Sequence, residues 1–239
     1  MAVSGSFDFT MNRDALITRA LRKIGAVPAG VAPTADEITD ASLELNLILK
    51  AWQADGMQLW TVTQASVTPV QGQEVYTMGT GGDINVARPE DILEVYRRLT
   101  ADTLDVPLRR KARADFFRLP NKAQEGTPTH YYFDPQLALD NLYIWNTADA
   151  TFAADYTLEV LYQRPFDDMD ATADTLSFPQ SWELAVTLAL THNLSMEYGK
   201  PASEQQRWEK QAEKEKNRQL DWDTEHAGIF FGVDQQATD

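Results

Sequence analysis

Apolar residues recur at helical spacing near both ends of this chain and at alternate positions between them. In the first periodic stretch, residues 12–24, Leu16, Ile17, Ala20, Leu21 and Ile24 share one stripe, as an amphipathic helix requires. Asn12 or Thr10 stands where an N-cap accepts a backbone N–H, and Gly25 where a left-handed residue ends a helix. After the Pro/Gly break AVPAGVAP, Thr34 and Glu37 are spaced as a capping box, opening a second helix over residues 35–54. Ile38, Ala41, Leu45, Ile48, Leu49 and Trp52 form its apolar face, and Gly56 ends it.

From Leu59 to about Asp168 the period changes to two. Residues 65–70 and 74–78, joined by Gln71-Gly72-Gln73, predict a hairpin, and Pro69 puts its strand at a sheet edge. Further strands are expected at residues 91–99, 130–133, 141–145 and 156–162, separated by turn clusters such as Gly126-Thr-Pro128 and Asp134-Pro135. Residues 111–118 read as a short helix.

Helical spacing returns at residues 181–198, where Trp182, Ala185, Val186, Leu188, Ala189, Leu194 and Met196 bury the helix broadly. Gly199-Lys-Pro201 separates it from a fourth helix over residues 202–222, with Pro at a tolerated first-turn position. That last helix is nearly all polar, with Trp208, Ala212 and Leu220 to pack. At about 1.5 Å per residue it extends roughly 30 Å, and a long polar helix of this sort bridges neighbours or lines a channel. The expected fold class is α+β. An antiparallel helical bundle is formed by the N- and C-terminal helices (residues 10–57 and 178–222), with a central β-rich insert (58–177) and an extended C-terminal arm (223–239). No internal repeat is visible.

Composition sets limits on this picture. The 239 residues can bury a substantial core, and 43% apolar with 10% aromatic residues belongs to a folded protein. Without cysteine there is neither a disulfide framework nor thiolate chemistry, which fits synthesis in a reducing cytoplasm. The opening MAVSGSFDFTMNRD has no basic stretch followed by an apolar one, so no signal peptide is expected. The aliphatic run at residues 184–190 falls far short of the roughly 20 residues of a membrane-spanning helix, so no membrane partner is expected. The formal charge of −15 argues against a surface that grips nucleic-acid phosphate, though not against one that lets DNA pass.

Candidate chemistry is sparse. Gly79-Thr-Gly-Gly82 invites a phosphate-loop reading, but no Gly-Lys-Ser/Thr follows and Asp83 puts a negative charge where phosphate would sit. His130, His192 and His226 are far apart and in no metal-ligand spacing. The run Asp168, Asp170, Thr172, Asp174 resembles the start of a calcium loop, but Ala173 replaces the turn glycine and Pro179 the bidentate glutamate. No serine sits in a nucleophile elbow, and 36 acidic residues make any one glycosidase pair uninformative. The one basic patch is Arg109, Arg110, Lys111 and Arg113, followed by Phe116, Phe117 and Arg118. Such a patch binds single strands by charge and stacking. Alternatively, its aromatics turn inward and its cations meet an acidic neighbour, including the acidic face of an adjacent subunit.

Several phrases in order carry a family resemblance: Ala20-Leu-Arg-Lys-Ile-Gly25, the residue 34–52 helix ending in Asp55-Gly56, Tyr76-Thr-Met-Gly-Thr-Gly-Gly-Asp83 and Ala87-Arg-Pro89. Pro120-Asn-Lys122, Gly126-Thr-Pro128, Tyr131-Tyr-Phe-Asp-Pro135 and Glu197-Tyr-Gly199 complete it. Over roughly residues 12–215 the chain resembles the head-to-tail adaptor proteins of short-tailed bacteriophages, also called tail accessory or packaged-DNA-stabilisation proteins. The resemblance implies a helical bundle with a β-rich insert, assembled as a twelve-subunit ring beneath the portal protein. The ring continues the DNA channel and gives tail proteins a platform.

The resemblance further implies a structural virion protein at the head–tail junction, made in the host cytoplasm, with no cofactor and no catalytic residues. Its partners are the portal, neighbouring copies and tail proteins, while packaged DNA passes without specific binding. A C-terminal arm reaching into the portal suits the apolar patch Ile229, Phe230, Phe231 and Val233. The competing readings are a cell-wall glycosidase using paired carboxylates and a DNA-binding module built on the residue 109–118 patch.

Overall fold

A computed structural model describes residues 5–6, 8–55, 59–102 and 104–223. In chain order it contains α1 (Arg13–Lys23), α2 (Ala35–Ala54), β1 (Val62–Val67), β2 (Val75–Met78), β3 (Asp91–Leu99), β4 (Leu104–Pro107), β5 (Arg109–Arg110) and α3 (Arg113–Phe117). There follow β6 (Glu125–Gly126), β7 (His130–Asp134), β8 (Asp140–Trp145), β9 (Thr147–Ala148), α4 (Ala150–Asp155), β10 (Tyr156–Gln163), α5 (Glu183–Glu197) and α6 (Ala202–Trp222). The chain divides into two compact units, Met1–Leu59 with Asp168–Asp239, and Trp60–Asp167.

The helical unit is organised around α5. Leu16, Ile17, Ala20 and Leu21 of α1, Ala41, Leu45 and Leu49 of α2, and Val186, Leu190 and Leu194 of α5 share one core. Local signals set the helix starts. The Asn12 carboxamide accepts the Ala15 N–H at 2.9 Å. Thr34 and Glu37 close the capping box, with Thr34 N–H donating to the Glu37 carboxylate at 2.8 Å. Buried on several sides, α5 satisfies its own hydroxyls: Thr187 donates to the Glu183 carbonyl at 2.7 Å and Thr191 to that of Thr187 at 2.6 Å.

The expected antiparallel bundle of N- and C-terminal helices is not formed. A bundle member needs an apolar stripe along its length, whereas α6 buries Trp208, Ala212 and Gln219 over its 21 residues. It lies against α5 through a separate small cluster of Leu188, Trp208 and Ala212. Leu220, expected to pack, is part-exposed, and Met196 at the end of α5 is exposed as well. The expected C-terminal arm lies outside the described residues.

In the second unit two four-stranded sheets enclose one core. The first, in the order β1-β10-β3-β4, is antiparallel throughout. The second, β2-β8-β7-β5, is mixed, because β5 runs parallel to β7. A short parallel pair, β6-β9, stands apart. Tyr76, Met78, Tyr131, Phe133, Leu142 and Ile144 from the second sheet meet Ile92, Val95, Leu158 and Val160 from the first. The expected hairpin between residues 65–70 and 74–78 does not form, since β1 pairs with β10 and β2 with β8. Pro69 ends β1's ladder, and Gly72, at φ 72°, turns the chain from one sheet into the other with its N–H on the Ala148 carbonyl.

Candidate functional site

The basic patch is built where β5 joins the edge of the second sheet. Arg109 lies beside His130 and Arg110 beside Tyr131, so strand alternation sends the two arginines to opposite faces. Arg110 grips Asp91 with two bonds of 2.7 and 3.1 Å and donates to the Ile92 carbonyl at 2.9 Å. The hydrogen bonds to Asp91 hold the guanidinium pKa above the usual value. Arg113 lies 3.8 Å from Asp134, and Arg118 3.6 Å from Asp115. Three cations of the patch therefore meet acidic partners in their own chain.

Arg109 and Lys111 carry no ion pair among the described residues. Both flank His130, whose pKa is lowered by burial first and by Lys111 and Arg109 after it. Arg97, Pro107, Arg109, Thr129 and His130 line a cavity of about 320 Å³. The aromatics of the patch divide. Phe116 is fully buried, whereas Phe117 stays half-exposed while packing on Tyr132 and Tyr143 at ring distances of 6.0 Å. The Lys122 ammonium caps both phenylalanine rings, 4.6 Å from one and 5.7 Å from the other. A stacking platform for bases needs open ring faces, and of these two rings Phe116 is covered and Phe117 half-covered.

An acidic counterpart lies in the helical unit. Asp36, Asp40, Leu43 and Leu47 are all exposed on α2, at a spacing that puts them on one stripe. Glu197 at the end of α5 stands near it. Its carboxyl pKa is raised by burial first, then by the charges of Glu44 and Asp40. Among the described residues no cation offsets this rise at Glu197.

The other sequence motifs are engaged in holding their own loops. Asp83 accepts both the N–H and the hydroxyl of Thr77 at 2.8 Å, while the N–H groups of Gly79, Gly81 and Gly82 donate to the Ile84 carbonyl, the Asn85 side chain and the Gly79 carbonyl. Asp168 pairs with Lys50 at 2.7 Å, Asp174 accepts the Ala171 N–H at 2.6 Å, and the Asp170 carbonyl accepts from Arg13. His192 contacts the Gln205 carbonyl at 3.3 Å, while His226 lies outside the described residues. Among the described residues no group of three or more His, Asp or Glu side chains could hold a metal ion. No helix there is long and apolar enough to cross a membrane. Ile229, Phe230, Phe231 and Val233 also lie outside the described residues.

Sequence reasoning missed the burial of several carboxylates, Glu159 and Glu183 among them. Glu159 on β10 is 5% exposed and accepts from Gln64, Ser66 and Thr157. Glu183, 4% exposed at the start of α5, accepts the Met11 N–H at 3.0 Å with one oxygen and has no partner for the other among the described residues. It borders a cavity of about 480 Å³ with Phe9, Met11, Arg19, Lys23 and Leu184. The one available signal was an acid opening an otherwise apolar helix, which a first-turn position explains equally well.

The chain thus carries exposed surfaces of both charge signs. No curated protein matches the chain. The family model described as SU10 adaptor protein matches residues 11–229, a span that takes in both structural units. The chain therefore belongs to the SU10 adaptor protein family of structural phage proteins.

Proposed function

We propose that this phage adaptor assembles as a closed ring of about twelve copies beneath the portal, joined by heterologous contacts that close by rotation. The ring extends the DNA channel, helps retain packaged DNA and presents a platform to tail proteins at the head–tail junction of the virion. The observation that carries this reading is family membership over nearly the whole chain. The charge of −15 supports it, because a conduit for DNA works best with a wall that repels phosphate. It also keeps free subunits apart until a partner nucleates assembly.

Within that ring, Arg109, Arg110, Lys111 and Arg113 form an intersubunit patch facing an acidic surface of the adjacent copy. Arg109 and Lys111, without ion pairs among the described residues, are its active part. The arm bearing Ile229, Phe230, Phe231 and Val233 attaches the subunit to the portal or to a neighbour. Burying such side chains contributes roughly 1.5–3 kcal/mol each, before the cost of ordering the tail.

The test is a mass measurement on purified protein, alone and mixed with portal. The expected result is a small species alone and a ring of about twelve copies with portal. A closed twofold dimer in the presence of portal would overturn the reading.

A further inference from the structure

The cavity bordered by Glu183 has the features of a peptide-binding site. Phe9, Met11 and Leu184 supply an apolar wall, and Arg19 and Lys23 a cationic rim. Its volume of about 480 Å³ falls in the range of ordinary ligand pockets. At its back, the second oxygen of Glu183 is buried without a donor among the described residues. Buried carboxylate oxygens are nearly always hydrogen-bonded, and one left unmatched is costly. That oxygen has almost no accessible surface, so recognition of an occupant falls to the apolar wall and the cationic rim. Burial first, and the charge of Arg19 second, hold the Lys23 ammonium below its usual pKa. An acidic occupant relieves this.

The chain itself carries a segment of matching chemistry. No Lys or Arg follows Arg218, whereas Asp221, Asp223, Glu225, Asp234 and Asp239 do. Between those acids lie Ile229, Phe230, Phe231 and Val233. This is an apolar core with acidic flanks, set against an apolar wall with a cationic rim. Trp222, the last residue of α6, is 83% exposed. From Asp223 an extended backbone spans at most about 25 Å to Phe230, enough to reach across to a neighbour.

We propose that residues 229–233 of a neighbouring copy dock in the cavity bordered by Glu183. The aromatic side chains of that segment cover Phe9, Met11 and Leu184, and its flanking carboxylates face Arg19 and Lys23. The inference rests on the ring reading. An arm and its cavity on one chain make a heterologous contact, the kind that closes a ring by rotation.

The chain has no cysteine, so a designed crosslink is unambiguous. A Phe231→Cys chain is mixed with a Leu184→Cys chain, with portal present, under mild oxidation. A disulfide between the two chains is expected, and none when the second cysteine is placed instead at the exposed Leu93. Adding Arg19→Glu and Lys23→Glu to the Leu184→Cys chain is expected to lower the yield about tenfold, as loss of a charge-assisted contact does. One chain carrying both cysteines, linking to itself at high dilution while the mixture gives no interchain product, would assign the arm to its own cavity and overturn the proposal. No link of either kind, with wild-type rings still forming, would overturn it and leave the ring reading intact. Wild-type protein that stops at a dimer with portal would end the ring reading, and interchain linking in that case would still uphold the docked arm.

Discussion

Glu159 of β10 accepts the Ser66 hydroxyl proton at 2.9 Å from the neighbouring strand β1, where the two residues sit directly opposite. The same carboxylate accepts from Gln64 at 2.7 Å and Thr157 at 3.0 Å, and lies 3.8 Å from Arg98 on β3. Arg98 in turn holds Asp105 of β4 with bonds of 2.7 and 2.8 Å. One polar chain thus crosses all four strands of the first sheet. Glu159→Ala would strand the donors of Gln64 and Ser66 and is expected to destabilise the protein by about 3 kcal/mol. Glu159→Gln, which keeps the shape and part of the bonding, should cost roughly half as much. Urea denaturation reads both, and equal stability of Glu159→Ala and wild type would show that the network contributes nothing.

Much of this fold was legible because local rules dominate where they are strong. The Thr34–Glu37 capping box, the Asn12 cap and the period-two runs at β3, β7, β8 and β10 appear where the pattern put them. The hairpin failed for a physical reason. A Gly-containing turn between two strand-like runs fixes their proximity in sequence, not their partners. Here the partners came from Leu158–Gln163 and Asp140–Tyr143, far along the chain. The bundle failed because pairing of helical ends was inferred from order alone, while α6 has too little apolar surface to join a shared core. The cations of the patch were visible as residue types. Their acidic partners Asp91, Asp134 and Asp115 were not, since two of the three are distant in sequence.

Acidification should reveal the strain at Glu197. Its folded pKa is raised, so at neutral pH the charged form meets burial and the repulsion of Glu44 and Asp40. That unfavourable contribution fades as pH falls through the folded pKa and is gone below about pH 4, where the unfolded carboxyl is also protonated. Glu197→Gln should therefore melt higher than wild type at pH 7, and the gap should close at the acid end. Thermal melts over that pH range measure it. A constant gap would place the effect elsewhere.

The glycine-rich turn is held by a close approach. A Cβ on Gly82 would stand 2.8 Å from the Thr77 carbonyl oxygen, a backbone atom that the ladder fixes through Ile84 N–H at 2.9 Å. Gly82→Ala is expected to cost about 1–3 kcal/mol, as overpacking does. The adjoining Asp83 works in the opposite pH sense from Glu197. The Thr77 N–H first, and its hydroxyl next, hold the Asp83 pKa below the ordinary range. The stability it adds is present above the unfolded pKa and is lost as pH falls through the folded one. Asp83→Asn should flatten that acid limb of the stability curve, and an unchanged limb would count against the assignment.

Charge reversal tests the intersubunit patch. Arg109→Glu should weaken ring formation, and so should Asp40→Lys on the exposed stripe of α2 if that stripe is the acidic surface it meets. In a heterologous ring each copy offers one patch and one acidic face. Mixing the two variants then restores both kinds of contact, wild-type patch to wild-type face and reversed patch to reversed face. Assembly with portal, followed by mass measurement, is expected to fall for each variant alone and to recover in the mixture. Failure to recover would separate Arg109 from Asp40 as partners.

Removal of residues 224–239 distinguishes attachment from folding. The tail begins after Trp222, whose side chain is exposed, and after the Asp223 N–H has closed the last turn of α6 on the Gln219 carbonyl at 3.0 Å. The helix end is thus complete without the tail. Three or four apolar side chains on a short segment contribute roughly 1.5–3 kcal/mol each when buried, and ordering each tail residue costs about 1–2 kcal/mol. The segment therefore gains net stability only where a partner supplies a preformed surface. The truncated chain should melt within about a degree of wild type as a free subunit, since surface changes shift stability little, while losing assembly with portal. A large fall in melting temperature with assembly preserved would mean that the tail folds on its own subunit, and the docking reading would fail.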